Sequence, residues 1–171
     1  MTPEQVFLNF SAQKLEQLSG RIADCLGKLS YDQIWARGSD AENAIGNLVL
    51  HLCGNLRQWI GTGVAGKPDI RVRDREFQAR GDIQPDDLRE RLAGAAAEAA
   101  ETIRGLGAER LLDPVEVQKY KLTVLEAIYH VVEHFAQHTG QVLFATKQMT
   151  GQDLGYYRHL DKGAAHGQTN P

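Results

Sequence analysis

Apolar residues recur every three or four positions over four long stretches of the chain, the spacing of a helix with one buried face. In the first stretch the stripe is Val6, Phe10, Leu15, Leu18, Ile22, Cys25 and Leu26. Thr2 stands there as an N-cap, Pro3 takes the first helical position and Gly27 closes the run, so a helix is predicted from about residue 3 to 26. Ser30 to Arg37 is a short connection around Trp35 with room for one helical turn. The second stripe, Ile45, Leu48, Leu52, Leu56 and Trp59, predicts a helix from about Ala41 to Gly61 with Ser39 and Asp40 as caps. Between Gly61 and Gly81 the periodicity breaks, and five Gly or Pro residues punctuate a charged loop.

A third helix is predicted from Pro85 to about Arg104, with an Ala-rich middle that permits close packing. A linker follows, where Val115, Val117, Tyr120 and Leu122 alternate weakly and allow one brief extended piece. Thr123 caps a fourth helix whose stripe of Leu125, Ile128, Val132, Phe135 and Val142 runs to about Met149, and Gly151 ends it. One more helical turn is predicted near 153–160. Four amphipathic helices without a convincing strand pattern predict an all-α four-helix bundle.

Composition narrows this to one domain. The 171 residues are 42% hydrophobic and 24% charged, enough for a self-sufficient core. The bundle is assigned to residues 1–161, and 162–171, rich in Gly, Ala, Asn and Gln, reads as a flexible tail. A net charge of −3 supplies no general attraction to nucleic acid or to anionic membranes, and neither partner is expected. No apolar run approaches the ~18 residues of a membrane span, and the N-terminal residues lack a signal-peptide pattern. Cys25 and Cys53 fall within predicted helices and form no CxxC pair. Free thiols in a cytoplasmic protein are the expectation.

The candidate chemistry lies in the fourth helix, in His130-Val-Val-Glu-His134-Phe-Ala-Gln-His138-Thr-Gly-Gln141. Three imidazoles recur every fourth residue, and four residues of helix turn through about 400° and rise about 6 Å, so neighbouring rungs share a face. Two such imidazoles can grip one divalent ion. The outer rungs differ by about 80° and about 12 Å, too far apart to share one. A third ligand is available on another helix, at His51, which borders its own apolar stripe. One rung is then left to orient a ligand or to face substrate. Three histidines with an open position is the pattern of catalytic zinc. The plain alternative is a row of solvated or hydrogen-bonded helix histidines. Glu133 projects about 100° from His134 and is read as facing solvent. Cys53, about 200° around the helix from His51, is not expected to ligate the same ion.

The ladder, with a partner histidine in the second helix, resembles the DinB/YfiT-like superfamily. Asn47-Leu-Val-Leu-His51-Leu-Cys-Gly54-Asn55 followed by Arg71-Val-Arg73-Asp74-Arg75-Glu76-Phe77 is similar to one bacterial branch of it, and the resemblance covers about Val6 to Leu160. It implies an up-down-down-up bundle, often a homodimer, with a divalent metal held by His51, His134 and His138 and with His130 beside the site. Zinc or nickel is the expected ion. It further implies a metal-dependent transferase or hydrolase that activates a low-molecular-weight thiol or water against a small-molecule substrate. The alternative is a non-enzymatic dimeric bundle that binds metal or a small ligand. Arg71, Arg73, Arg75 and Arg80 alternate with Asp69, Asp74, Glu76 and Asp82. These are either local ion pairs on a solvated loop or, with Arg71 and Arg73 foremost, a clamp for a carboxylate or phosphate of thiol or substrate.

Overall fold

In the computed structural model residues 1–160 are described, so the tail expected at 162–171 and the domain boundary at 161 lie outside them. In chain order the elements are α1 (Pro3–Leu26), the single-turn α2 (Tyr31–Trp35), α3 (Ile45–Leu56) with a π-helical extension (Arg57–Val64), α4 (Arg73–Gln78) and α5 (Pro85–Arg104). A 3-10 turn (Ala108–Leu112), a hairpin of β1 (Pro114–Val117) and β2 (Tyr120–Thr123), and α6 (Val124–Thr150) complete the bundle. A last 3-10 turn covers Arg158–Leu160. The four long helices form the expected all-α bundle: α1 packs on α5 and α6, and α3 packs on the same two.

Local chemistry accounts for the helix ends. Thr2 and Gln5 cap each other reciprocally at the start of α1, and Thr123 and Glu126 do the same for α6. Gly151 closes α6 in the left-handed conformation, φ 66°, which glycine adopts without steric cost. Leu15, Ile22, Leu52, Leu92, Ile128 and Phe135 are fully buried between the helices, and Ala95, Ala96, Ala99 and Ala100 line the buried face of α5.

Four expectations need correction. Val6 and Phe10 are about half exposed, because the buried stripe of α1 runs through Leu8, Ala12 and Leu15, with Val6 and Phe10 about 160–200° around from Leu8. The second long helix starts at Ile45 rather than Ala41: the Asn47 side chain accepts from the Ala44 N–H, while Glu42 turns back to Gly38 and Ser39. Its far end runs beyond Gly61, because the wider π turns carry the chain to Val64. Where one extended piece was predicted, two strands pair antiparallel from Pro114↔Thr123 to Val117↔Tyr120. Their two-residue turn, Gln118-Lys119, has φ 52° and 69°, as a type I′ hairpin demands even without glycine.

Candidate metal centre

His51 projects from α3 and His134 and His138 from α6, so the packing of these two helices brings the three imidazoles together. One nitrogen from each lies within 4.8 Å of the others. The rings meet edge to face, with centroids 5.0 Å apart for His51 and His134 and 4.5 Å for His134 and His138. The Nε2 atoms of His51 and His134 face each other at 2.9 Å. His51 is buried and the other two are partly buried.

Two of the three rings are held from behind. His51 Nδ1 lies 3.0 Å from Glu76 Oε2. Glu76 is buried and is gripped by Arg71 through two bonds, Nε to Oε1 at 2.7 Å and Nη2 to Oε2 at 2.8 Å. An ionised carboxylate only accepts, so His51 Nδ1 carries the hydrogen and Nε2 keeps its lone pair. The approach of Arg71 Nη2 to His51 Nδ1, 3.1 Å, is then two donors converging on one carboxylate oxygen. His138 Nδ1 lies 2.7 Å from Gln141 Oε1, an amide oxygen that accepts, which leaves the His138 Nε2 lone pair free in the same way.

The carboxylate needs a gap in α3, and Gly54 supplies it. A Cβ at Gly54 would sit 2.0 Å from Glu76 Oε1 and 2.8 Å from Arg71 Nε. Asn47 fastens the other side, donating to the Glu76 and Ala79 carbonyls at 2.8 and 3.1 Å. Arg71 also reaches Gln58 Oε1 at 2.8 Å, and that oxygen accepts from Gln118 of the hairpin turn at 2.6 Å. A hydrogen-bonded chain thus runs from the hairpin through the π segment to the imidazole cluster.

Electrostatics favour unprotonated ligands. Burial, together with the neighbouring imidazoles and Arg71, pushes His134 down to about 3. Burial also lowers His138 and His130. Burial alone would raise the Glu76 carboxyl, but bonds from Arg71 and His51 outweigh it and hold the group below the usual carboxylate range. The donor set therefore fits a divalent ion: neutral nitrogens converging from three sides, two with their tautomers set by a partner. His51, His134 and His138 are the residues that could hold it.

The remaining candidates divide. His130 stays outside the group, stacked on His134 at 5.7 Å and tilted against Trp59 at 4.2 Å, centroid to centroid. Arg71 is spent on Glu76 and Gln58. Arg73 lies over the Phe77 ring at 4.7 Å and borders the same cavity as His51 and His134. Glu133 is exposed. Cys53 is buried and its thiol is pushed up to about 12 by that burial, so it stays protonated near neutrality. Glu76, Gln58 and Asn55 were not singled out from sequence. Glu76 was one of four acids alternating with arginines, and nothing local distinguishes the one that folds inward.

Fold and cluster together define a DinB-like helical bundle with a three-histidine site able to bind a metal ion. Residues 3–159 match the family described as "Protein of unknown function (DUF1572)", and the chain belongs to that family. The fold is shared with a DinB-like protein (YjoA) of Bacillus subtilis, at 16% identity and TM-score 0.65, over 86% of this chain and 96% of that one. A conserved protein from Enterococcus faecalis is similar too, at 14% identity and TM-score 0.67, over 89% of this chain and 99% of the other. Nothing among the curated proteins matches the sequence.

Proposed function

We propose that this protein is a metal-dependent enzyme, a transferase or hydrolase that activates a low-molecular-weight thiol or water on a zinc or nickel ion held by His51, His134 and His138. The observation that carries the reading is the convergence of three imidazole nitrogens within 4.8 Å, with the His51 and His138 rings held at Nδ1 by Glu76 and Gln141. Bound there, the ion supplies the acidity that turns a thiol or water into an anion at neutral pH. The chain's own part is to keep the ligands unprotonated, to orient His51 through Glu76 and to leave room for reactants. Two cavities reach the cluster, one lined by His51 and His134 and the other by His138 and Gln141. That arrangement favours transfer between two reactants over hydrolysis of one.

A cytoplasmic homodimer belongs to the same proposal. The half-exposed Val6 and Phe10 of α1 offer apolar surface for a second copy, and both cysteines are free and buried. No helix among the described residues is long and apolar enough to cross a membrane. The test is elemental analysis of untagged protein beside a His134→Ala variant, followed by a screen of thiols with electrophiles. One ion per chain, lost in the variant, together with metal-dependent turnover supports the enzyme. A bound ion without turnover supports the non-enzymatic binding bundle instead, and no ion at all sinks the metal-dependent enzyme.

A further inference from the structure

We propose that the cavity beside His51 and His134 binds a small planar monocarboxylate. Its flat apolar part lies against Trp59 and Tyr120, and its oxygens are taken by donors the cavity wall leaves unspent, Asn55 and Arg73. The inference deepens the metal reading and takes from it only that the imidazole cluster is the reactive end of the cavity.

The cavity, about 380 Å³, is at the small end for ligand sites. Asn55 stands one helical turn beyond His51 on α3 and lines it. Asn55 is 4% exposed, and its carboxamide makes no hydrogen bond among the described residues. Its amide atoms open onto the cavity rather than being sealed from it, so a ligand or water there completes them. Trp59, 3% exposed on the same wall, has an indole N–H buried without an acceptor among the described residues. The other tryptophan, Trp35, donates normally to the Ile83 carbonyl at 3.2 Å.

Charge and shape narrow the ligand. Arg71 is consumed by Glu76 and Gln58, whereas Arg73 has no carboxylate partner among the described residues and lies over the Phe77 ring. The one acid on the wall, Glu126, is exposed and keeps its charge; its Oε2 accepts from the Thr123 N–H and hydroxyl at 2.8 Å each. Among the described residues Arg73 is the one cation on the wall without a carboxylate partner, and one guanidinium suits one negative charge rather than a dianion. The apolar side is aromatic: Trp59 lies 6.3 Å from Tyr120 and 4.2 Å from His130, centroid to centroid. Tyr120, 60% exposed, offers the open ring on which a flat group stacks, and the nearly buried Trp59 lines the wall beside it.

Cinnamate and its neutral isostere cinnamamide are suitable probes, titrated into zinc-treated protein labelled with ¹⁵N while metal content is measured on the same sample. The expected result is a moving indole N–H cross-peak for Trp59 and a stationary one for Trp35, with cinnamamide at least about tenfold weaker. Arg73→Gln, an exposed position that should leave the rest of the spectrum in place, should erase the preference for the carboxylate. Asn55→Ala should weaken cinnamate about fivefold or more. A Trp59 cross-peak unmoved at millimolar cinnamate, or equal binding of the two probes, overturns the inference. Zinc bound without cinnamate binding leaves the metal reading standing and removes this one, whereas cinnamate bound without zinc does the reverse.

Discussion

The bundle has two unlike halves. Where α1 meets α5 the contact is apolar and small-chained, with Ala95, Ala96, Ala99 and Ala100 buried on α5 and only Ser11 and Ser19 as buried polar residues on α1. Where α3 meets α4 and α6, Asn47, His51, Asn55 and Glu76 are all buried. Burying polar groups costs free energy unless each finds a partner. In the second half most do, and the exception, Asn55, lines a cavity. One half holds the bundle together, and the other uses that rigidity to keep nitrogen donors in place that would otherwise be hydrated.

The sharpest way to break this comparison is His134→Ala. Metal uptake should be abolished, read by elemental analysis, while the apolar half keeps the far-ultraviolet helix signal intact. Leu92→Ala in α5 is the mirror experiment: a loss of about 2–5 kcal/mol in denaturant unfolding with metal stoichiometry unchanged below the transition. If Leu92→Ala lost metal as well, the two halves would not be separable. Glu76→Gln should then weaken metal binding about 10–100-fold, because the His51 ring loses its anionic anchor. Gly54→Ala should copy it without unfolding, since the atoms in the way are the ends of two flexible side chains. A Gly54→Ala protein with wild-type affinity would remove Glu76 from the account of the site.

A smaller effect concerns pH. In the folded, metal-free protein His134 is held near 3 against an ordinary 6.5, so between those values the unfolded chain binds a proton that the folded one refuses. Stability therefore falls as pH drops below about 6.5 and keeps falling toward 3, with His130 and His138 displaced in the same direction. The melting temperature of metal-free protein should decline from pH 7.5 to 5, and His134→Asn should flatten the decline. A flat wild-type curve would mean the imidazoles titrate normally. The smallest effect belongs to the first half's surface. Arg104 and Glu16 form a bidentate pair at 2.6 Å, but both are about 40% exposed. Arg104→Ala should cost less than about 1 kcal/mol and should vanish in high salt.

The histidine ladder was legible because its partners share one helix, and 3.6-residue periodicity alone decides which side chains are neighbours. The same periodicity located α5 and α6 within a residue or two. It misled at Val6 and Phe10, where apolar residues lie off the true stripe, and it stopped at Gly61 because a π segment changes the count per turn. Glu76 lay in a segment without periodicity, and its part in the site comes from α4 folding back against α3 and from the gap at Gly54.

The chain by itself determined four helices, their capped ends and a row of imidazoles along one of them, because each follows from contacts only a few residues apart. Tertiary structure alone decided that His51, 83 positions from His134, would stand 2.9 Å away, nitrogen to nitrogen. It also decided that one carboxylate of four would turn inward to hold His51, and that Asn55 would line a cavity without a partner among the described residues. Those outcomes depend on how whole helices pack, where small side chains, one glycine and one widened turn set which distant groups meet.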